Sequence, residues 1–159
     1  MFTWLSETLI GKVLTTIFVS MVPIIELRGA IPIGVGLGLD LVPTILLCII
    51  GNMIPVPFII IFIRRIFEWM RKMSPKLNSI VVKMEEKAYS KKDIIDKYKV
   101  FGLYVLVAIP LPGTGAWTGS LVAAIFDIRL KYAFPAIFAG VATAGLIIGL
   151  LTGGVVAIL

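Results

Sequence analysis

Glu26 and Arg28 stand two residues apart inside the apolar stretch PIIELRGAIP, residues 23–32. A carboxylate held between hydrocarbon and a nearby cation can be poised to take up and release a proton. An arginine stays charged, and its flat donor fork suits phosphate or carboxylate. Residues at i and i+2 do not share a helix face, so the two are expected to serve different partners rather than form an ordinary intrahelical pair. The chemistry they support is proton exchange at Glu26 and anion binding at Arg28. The competing role is an ion bridge that pins the structure, since charges inside a membrane pair with one another. Thr114 and Trp117, in PLPGTGAW, would add a hydroxyl and an aromatic wall, and Asn52 is positioned to face the same cavity. Packing is the simpler role for Trp117.

Groups of this kind need elements that keep them out of lipid. The 159-residue chain is 59% hydrophobic, with a mean hydropathy of +1.06, well above the roughly 45–50% apolar content of soluble domains. It reads as an all-α integral membrane protein, a single membrane domain over residues 1–159. The apolar runs are spread along the whole chain, unlike a removable leader. With no histidine and one cysteine, Cys48, the sequence holds no zinc pattern and no disulfide. Cys48 reads as apolar filler. GVGLGL has Leu39 where a dinucleotide fingerprint needs its third glycine, and PLPGTGAW lacks the lysine of a P-loop. No nucleophile–base pair is visible, so neither an enzyme nor a cofactor is expected.

Charge sets the orientation. Residues 64–99 contain eleven Lys/Arg and five Asp/Glu, the whole net charge of +6, which marks a cytoplasmic connector. Leu77, Ile80, Val81, Met84 and Ala88 recur at helix spacing within it, and Ser74-Pro75 reads as an N-cap followed by a first helical residue. RRIFEWMRKM reads as a second, interfacial helix. The connector is expected to lie on anionic headgroups rather than to bind nucleic acid.

Residues 41–63 form about 34 Å of helix against a hydrocarbon core of about 30 Å, and residues 132–159 are also long enough to span. Residues 100–109 reach only about 15 Å before PLPGTG interrupts them. The chain therefore enters from one side, turns near mid-membrane and returns by residue 126. Residues 9–39 read the same way, as a hairpin broken at PIIELRG. Two halves follow, residues 1–63 and 100–159, each a re-entrant hairpin and then a transmembrane helix, with opposite topologies and with both chain ends outside. Pro23 and Pro110 are 87 residues apart, as are Asp40 and Asp127, whereas Gly51 and Gly140 match only after a two-residue shift. Inverted halves are the plan of many secondary transporters, while four plain spans are the competing architecture. The expected hairpin tips are Pro23, Gly29 and Pro32 in the first half and Pro110, Pro112, Gly113 and Gly115 in the second. Their open backbone must face protein or water, which places a wet site at the cell-membrane midplane.

ELRGAIPIG and PLPGTGAWTG resemble the paired signatures of the small multidrug export protein family, over nearly the whole chain. The hairpin arrangement also resembles, more distantly, the DedA-like superfamily, which implies lipid transport. Gly113-Thr114-Gly115 stand where that superfamily has an arginine-rich signature. The residues and the resemblance together imply a proton-coupled transporter of an amphipathic anion or lipid phosphate. The alternatives are an exporter of amphipathic cations, or a scaffold that moves nothing. Membrane lipids are the expected partners. A homodimer through the glycines of residues 132–159 would help to shield the broken backbone.

Overall fold

The computed structural model describes residues 8–111 and 113–158, with Val156 described by its backbone alone. Regular structure among these residues is helical: α1 (Leu9–Met21), α2 (Glu26–Gly36), α3 (Leu41–Met53), α4 (Pro55–Met73), α5 (Pro75–Tyr89), α6 (Lys92–Ala108), α7 (Ala116–Ile125) and α8 (Leu130–Ile158). Two continuous runs are long and apolar enough to cross a membrane. Leu41–Met73 has 33 residues and reaches a mean hydropathy of 2.6, and Leu130–Val155 has 26 residues and reaches 2.1. Large apolar side chains such as Phe18, Leu46, Phe58 and Leu150 are exposed around the outside, a surface suited to lipid and unsuited to water.

The first long run bends rather than ends. Pro55 cannot donate to the Gly51 carbonyl, yet Ile54 keeps helical dihedrals (φ −56°, ψ −51°), so α4 carries on from α3. The run does not stop at residue 63, because no breaker occurs before Ser74. RRIFEWMRKM, expected as a separate interfacial helix, forms the last turns of α4, with Phe67 buried. Ser74 then starts α5 as its spacing implies, its hydroxyl accepting from Lys76 N at 3.3 Å with Pro75 in the first turn. Val81 and Ala88 of α5 are buried and Met84 is half-buried, whereas Ile80 is exposed. This face packs on α4 and α7. α6 reverses sharply at Lys99 (φ 48°, ψ −120°). The turn is so tight that a Cβ on Gly102 would lie 2.6 Å from the Ile94 carbonyl oxygen.

The two halves repeat as structure. α1 and α6 both end in an extended residue, Val22 and Ile109, 87 positions apart. After the breaks the spacing is 89. α2 and α7 both finish in a Schellman turn: Leu39 N bonds Gly34 O at 3.1 Å and Ile128 N bonds Ala123 O at 2.9 Å, around Gly38 and Asp127 at positive φ. α3 begins at Leu41 and α8 at Leu130. From the extended residue to the turn that closes the next helix, the second half is thus two residues longer than the first, and the Gly51/Gly140 spacing is the structural register. Asp40 is the N-cap of α3 rather than the counterpart of Asp127. Arg64 ties the end of α7 to α4, with a 2.9 Å bridge to Asp127 and a 3.0 Å bond to Ile125 O.

α8 joins the halves. Ala133, Ile137, Val141 and Ala144 are buried along one face. Gly140 receives Val107 of α6, while Gly145, Gly149 and Gly153 receive Leu27, Ile45 and Leu41 of the first half. The small-residue face expected to serve a dimer is therefore occupied inside the chain, and a second copy would have to meet another surface. A Cβ at Gly140 would lie 2.7 Å from Val107 Cβ and 3.0 Å from Tyr104 O, whereas at Gly154 it would meet nothing within 4 Å. Gly140→Ala is accordingly expected to lose about 2 kcal/mol by overpacking. Gly154→Ala should be neutral or gain up to about 1 kcal/mol from helix propensity. Thermal unfolding of the two variants in detergent checks this contrast.

Candidate functional site

The two breaks meet. The first spans residues 22–25 and the second residues 109–115, Pro112 of the expected tips lying outside the described residues. Arg28, Gly29 and Pro32 are not in broken backbone but in α2, which continues through Pro32, and Glu26 opens that helix with a non-helical φ of 49°. The ring is exposed, and its missing N–H leaves only the Arg28 carbonyl without a helical donor. Pro23 lies in the first break and Pro110, Gly113 and Gly115 in the second.

Position 26 pairs with position 115 in the 89-residue register, and these two residues touch. Gly115 lies so close to the Glu26 carboxylate that an added Cβ would fall among its atoms. The backbone is unusual on both sides of the contact, with φ 49° at Glu26 and φ 117° at Gly115. Gly115 is the N-cap of α7 and has no side chain to satisfy the helix N–H groups. Glu26, 3% exposed, supplies the missing acceptor from the other half, with Trp117 N donating to Oε1 at 3.1 Å. A carboxylate at this end also suits the helix dipole.

Positions 28 and 117 are likewise equivalent and act reciprocally. The Trp117 indole Nε1 donates to Met21 O at the end of α1, at 2.9 Å. Arg28 Nη1 donates to Leu111 O in the second break, and Nη2 donates to Thr114 Oγ1 at 2.8 Å. The Thr114 hydroxyl in turn has the Ile109 and Leu111 carbonyls within reach, at 2.8 and 2.7 Å. Each half thus supplies donors to carbonyls that the other half's break leaves open, which answers the backbone accounting that broken helices pose. Arg28 Nε is buried with no partner among the described residues.

Two cavities flank this contact. One, of about 120 Å³, is lined by Pro23, Met84, Lys87, Trp117, Thr118 and Leu121, among others. The other, of about 530 Å³, lies between α2 and α8, and Arg28 is its charged wall. Lys87, reaching in from α5, passes Gly113, where an added Cβ would sit 3.4 Å from its Cε. It is close enough to Glu26 to act on its charge. Lys87 was not among the residues expected from sequence. Its signal was its place three residues after Met84, on the margin of the α5 face that turns inward.

A family model described as "Putative small multi-drug export protein" matches residues 26–147. The chain belongs to this family. The small multi-drug export match begins at Glu26, takes in the whole second break and ends within α8, so it includes Glu26, Arg28, Thr114 and Trp117. Together with the two apolar runs, family membership points to a membrane location. No curated protein and no solved structure matches the chain, and nothing extends the likeness to the DedA-like superfamily. Asn52 stands apart from the four residues that the small multi-drug export fold gathers at the breaks. It is fully buried in α3, neither side-chain atom has a partner among the described residues, and it lines neither cavity.

Proposed function

We propose that this protein is a proton-coupled membrane transporter of an amphipathic anion, with the substrate passing between the two breaks. The observation that carries this reading is the distribution of charge. Each cavity beside the contact has a cation in its wall, Lys87 in one and Arg28 in the other, while Glu26 is enclosed between the halves. An exporter of cations would need its carboxylate to face the substrate, and here an ammonium and a guanidinium stand in those places. Glu26 is the proton carrier in this scheme, because it is the one acid among the residues that join the breaks.

The proposed topology follows from the charge of residues 64–99, which keeps α5 and the end of α4 in the cytoplasm. α1–α2 then dips in from outside and α6–α7 from inside, each half followed by its span. The repeat supports this arrangement, as do open carbonyls paired across the contact instead of with lipid. Cysteines placed singly in the two breaks should be labelled poorly from either side. Ready labelling of the two breaks from opposite surfaces would remove the shared site.

Transport is tested in liposomes with a fluorescent single-chain anionic amphiphile. Arg28→Ala is expected to reduce flux at least tenfold while the protein stays monodisperse, with Arg28→Lys intermediate because it keeps the charge and loses the fork. Export of cations with Glu26→Gln inactive and Arg28→Ala tolerated would establish the opposite substrate. No flux of either class would leave a scaffold.

A further inference from the structure

We infer that the groove between α2 and α8 is the seat of the substrate's hydrocarbon tail, with the anionic head held at Arg28, a proposal that rests on the anion reading above. The groove holds about 530 Å³, within the range of small-molecule sites, roughly 300–1,000 Å³. Apart from Arg28 its wall is apolar or already satisfied. Pro32 and Gly36 line the α2 side, Ile148 and Val155 the α8 side, and the Thr152 hydroxyl donates to Ile148 O at 2.8 Å. Arg28 gives one N–H of each terminal nitrogen to the second break, which leaves three of its five N–H donors, the buried Nε among them, without a described partner. A ligand that matches this wall has a single negative group at one end and hydrocarbon for the rest. From Arg28 to Gly36 the helix rises about 12 Å, so the tail is an extended chain and not a compact ring system.

Gly36 adds a second argument. Glycine weakens a helix, and it is normally present for a turn or for a close approach. Gly36 serves neither purpose within the chain: an added Cβ would meet nothing within 4 Å. What its missing side chain preserves is the open space of the groove. Leu151 and Val155 on the far wall are 61% and 58% exposed, so the groove opens sideways between the helices. A tail therefore enters from the bilayer while its head moves to the guanidinium, and it need not pass through water.

The probe is dodecyl phosphate carrying a photoreactive group on its tail, bound to the purified protein in detergent of low affinity. The label is expected on peptides of α2 and α8. Unlabelled dodecyl phosphate should compete it away, while dodecyltrimethylammonium and inorganic phosphate should each compete at least tenfold less well. Gly36→Trp, or Gly36→Leu should the larger side chain prevent folding, is expected to weaken binding at least tenfold. Unchanged binding in a folded Gly36 variant, alongside loss of binding in Arg28→Ala, would overturn the tail seat and leave the anion reading intact. Unchanged binding in Arg28→Ala would overturn both. Equal competition by the cationic amphiphile would mark the groove as an ordinary lipid contact. Protection of the groove by a second copy of the chain, seen as a dimer that cannot be labelled, would also overturn the proposal.

Discussion

Gly115→Ala is expected to destabilise the protein by about 2–6 kcal/mol, read as a fall in thermal or denaturant stability in detergent. Two independent effects add. The Gly115 backbone, φ 117° and ψ −170°, lies in a region essentially reserved for glycine, and forcing another residue there costs about 1–3 kcal/mol. The new methyl group would also fall among the atoms of the Glu26 carboxylate, driving it off Trp117 N and leaving a buried donor unsatisfied at about 1–3 kcal/mol. Gly113→Ala is the control. It too has positive φ, 82°, but its nearest new neighbour is the flexible Lys87 side chain at 3.4 Å, so it should lose only the backbone share, about 1 kcal/mol. Equal losses at the two glycines would mean that the halves do not meet at positions 26 and 115.

Glu26→Leu should be nearly as severe, at about 2–3 kcal/mol, and Glu26→Gln much milder. Glu26 is the cap of a helix in the other half, and leucine removes the acceptor from Trp117 N, a loss of about 1–2 kcal/mol at ordinary helix ends. The same change leaves Arg28 and Lys87 without their negative neighbour, an added penalty where water is scarce. Glutamine keeps an acceptor oxygen and so keeps the cap. It should fold with a loss of about 1 kcal/mol or less, yet fail in the proton-driven transport proposed above. Equal stability of the leucine and wild-type proteins would show that the cap contributes nothing.

The sequence was most legible where composition and strong local chemistry act alone. Two apolar runs stood out by length, Ser74-Pro75 marked a helix start, and proline marked both breaks, with glycine beside it in the second. Glu26, Arg28, Thr114 and Trp117 could be nominated because polar groups in apolar surroundings require partners. Their partners were not legible, since Leu111 O, Met21 O and the α7 N–H groups are backbone atoms available in any sequence. The repeat was misread by two positions beyond the breaks because Pro23 and Pro110 align the arms before them, whereas the longer second break shifts all that follows. The end of α4 was misplaced because its basic residues lower hydropathy without interrupting the helix. The reversal at Lys99 has no glycine or proline to announce it. The glycines of α8 showed that something approaches closely, but small residues do not say whether the visitor is the same chain or another.

The packing of α8 also bears on how the protein is made. Leu27, Ile45 and Leu41 belong to segments synthesised early, and the hollows that receive them belong to residues 145–153. Until the ribosome has delivered that stretch, the earlier helices have part of their inner surface uncovered. Closure is thus a late event in biogenesis, and a chain halted before residue 145 would present membrane quality control with an unfinished product.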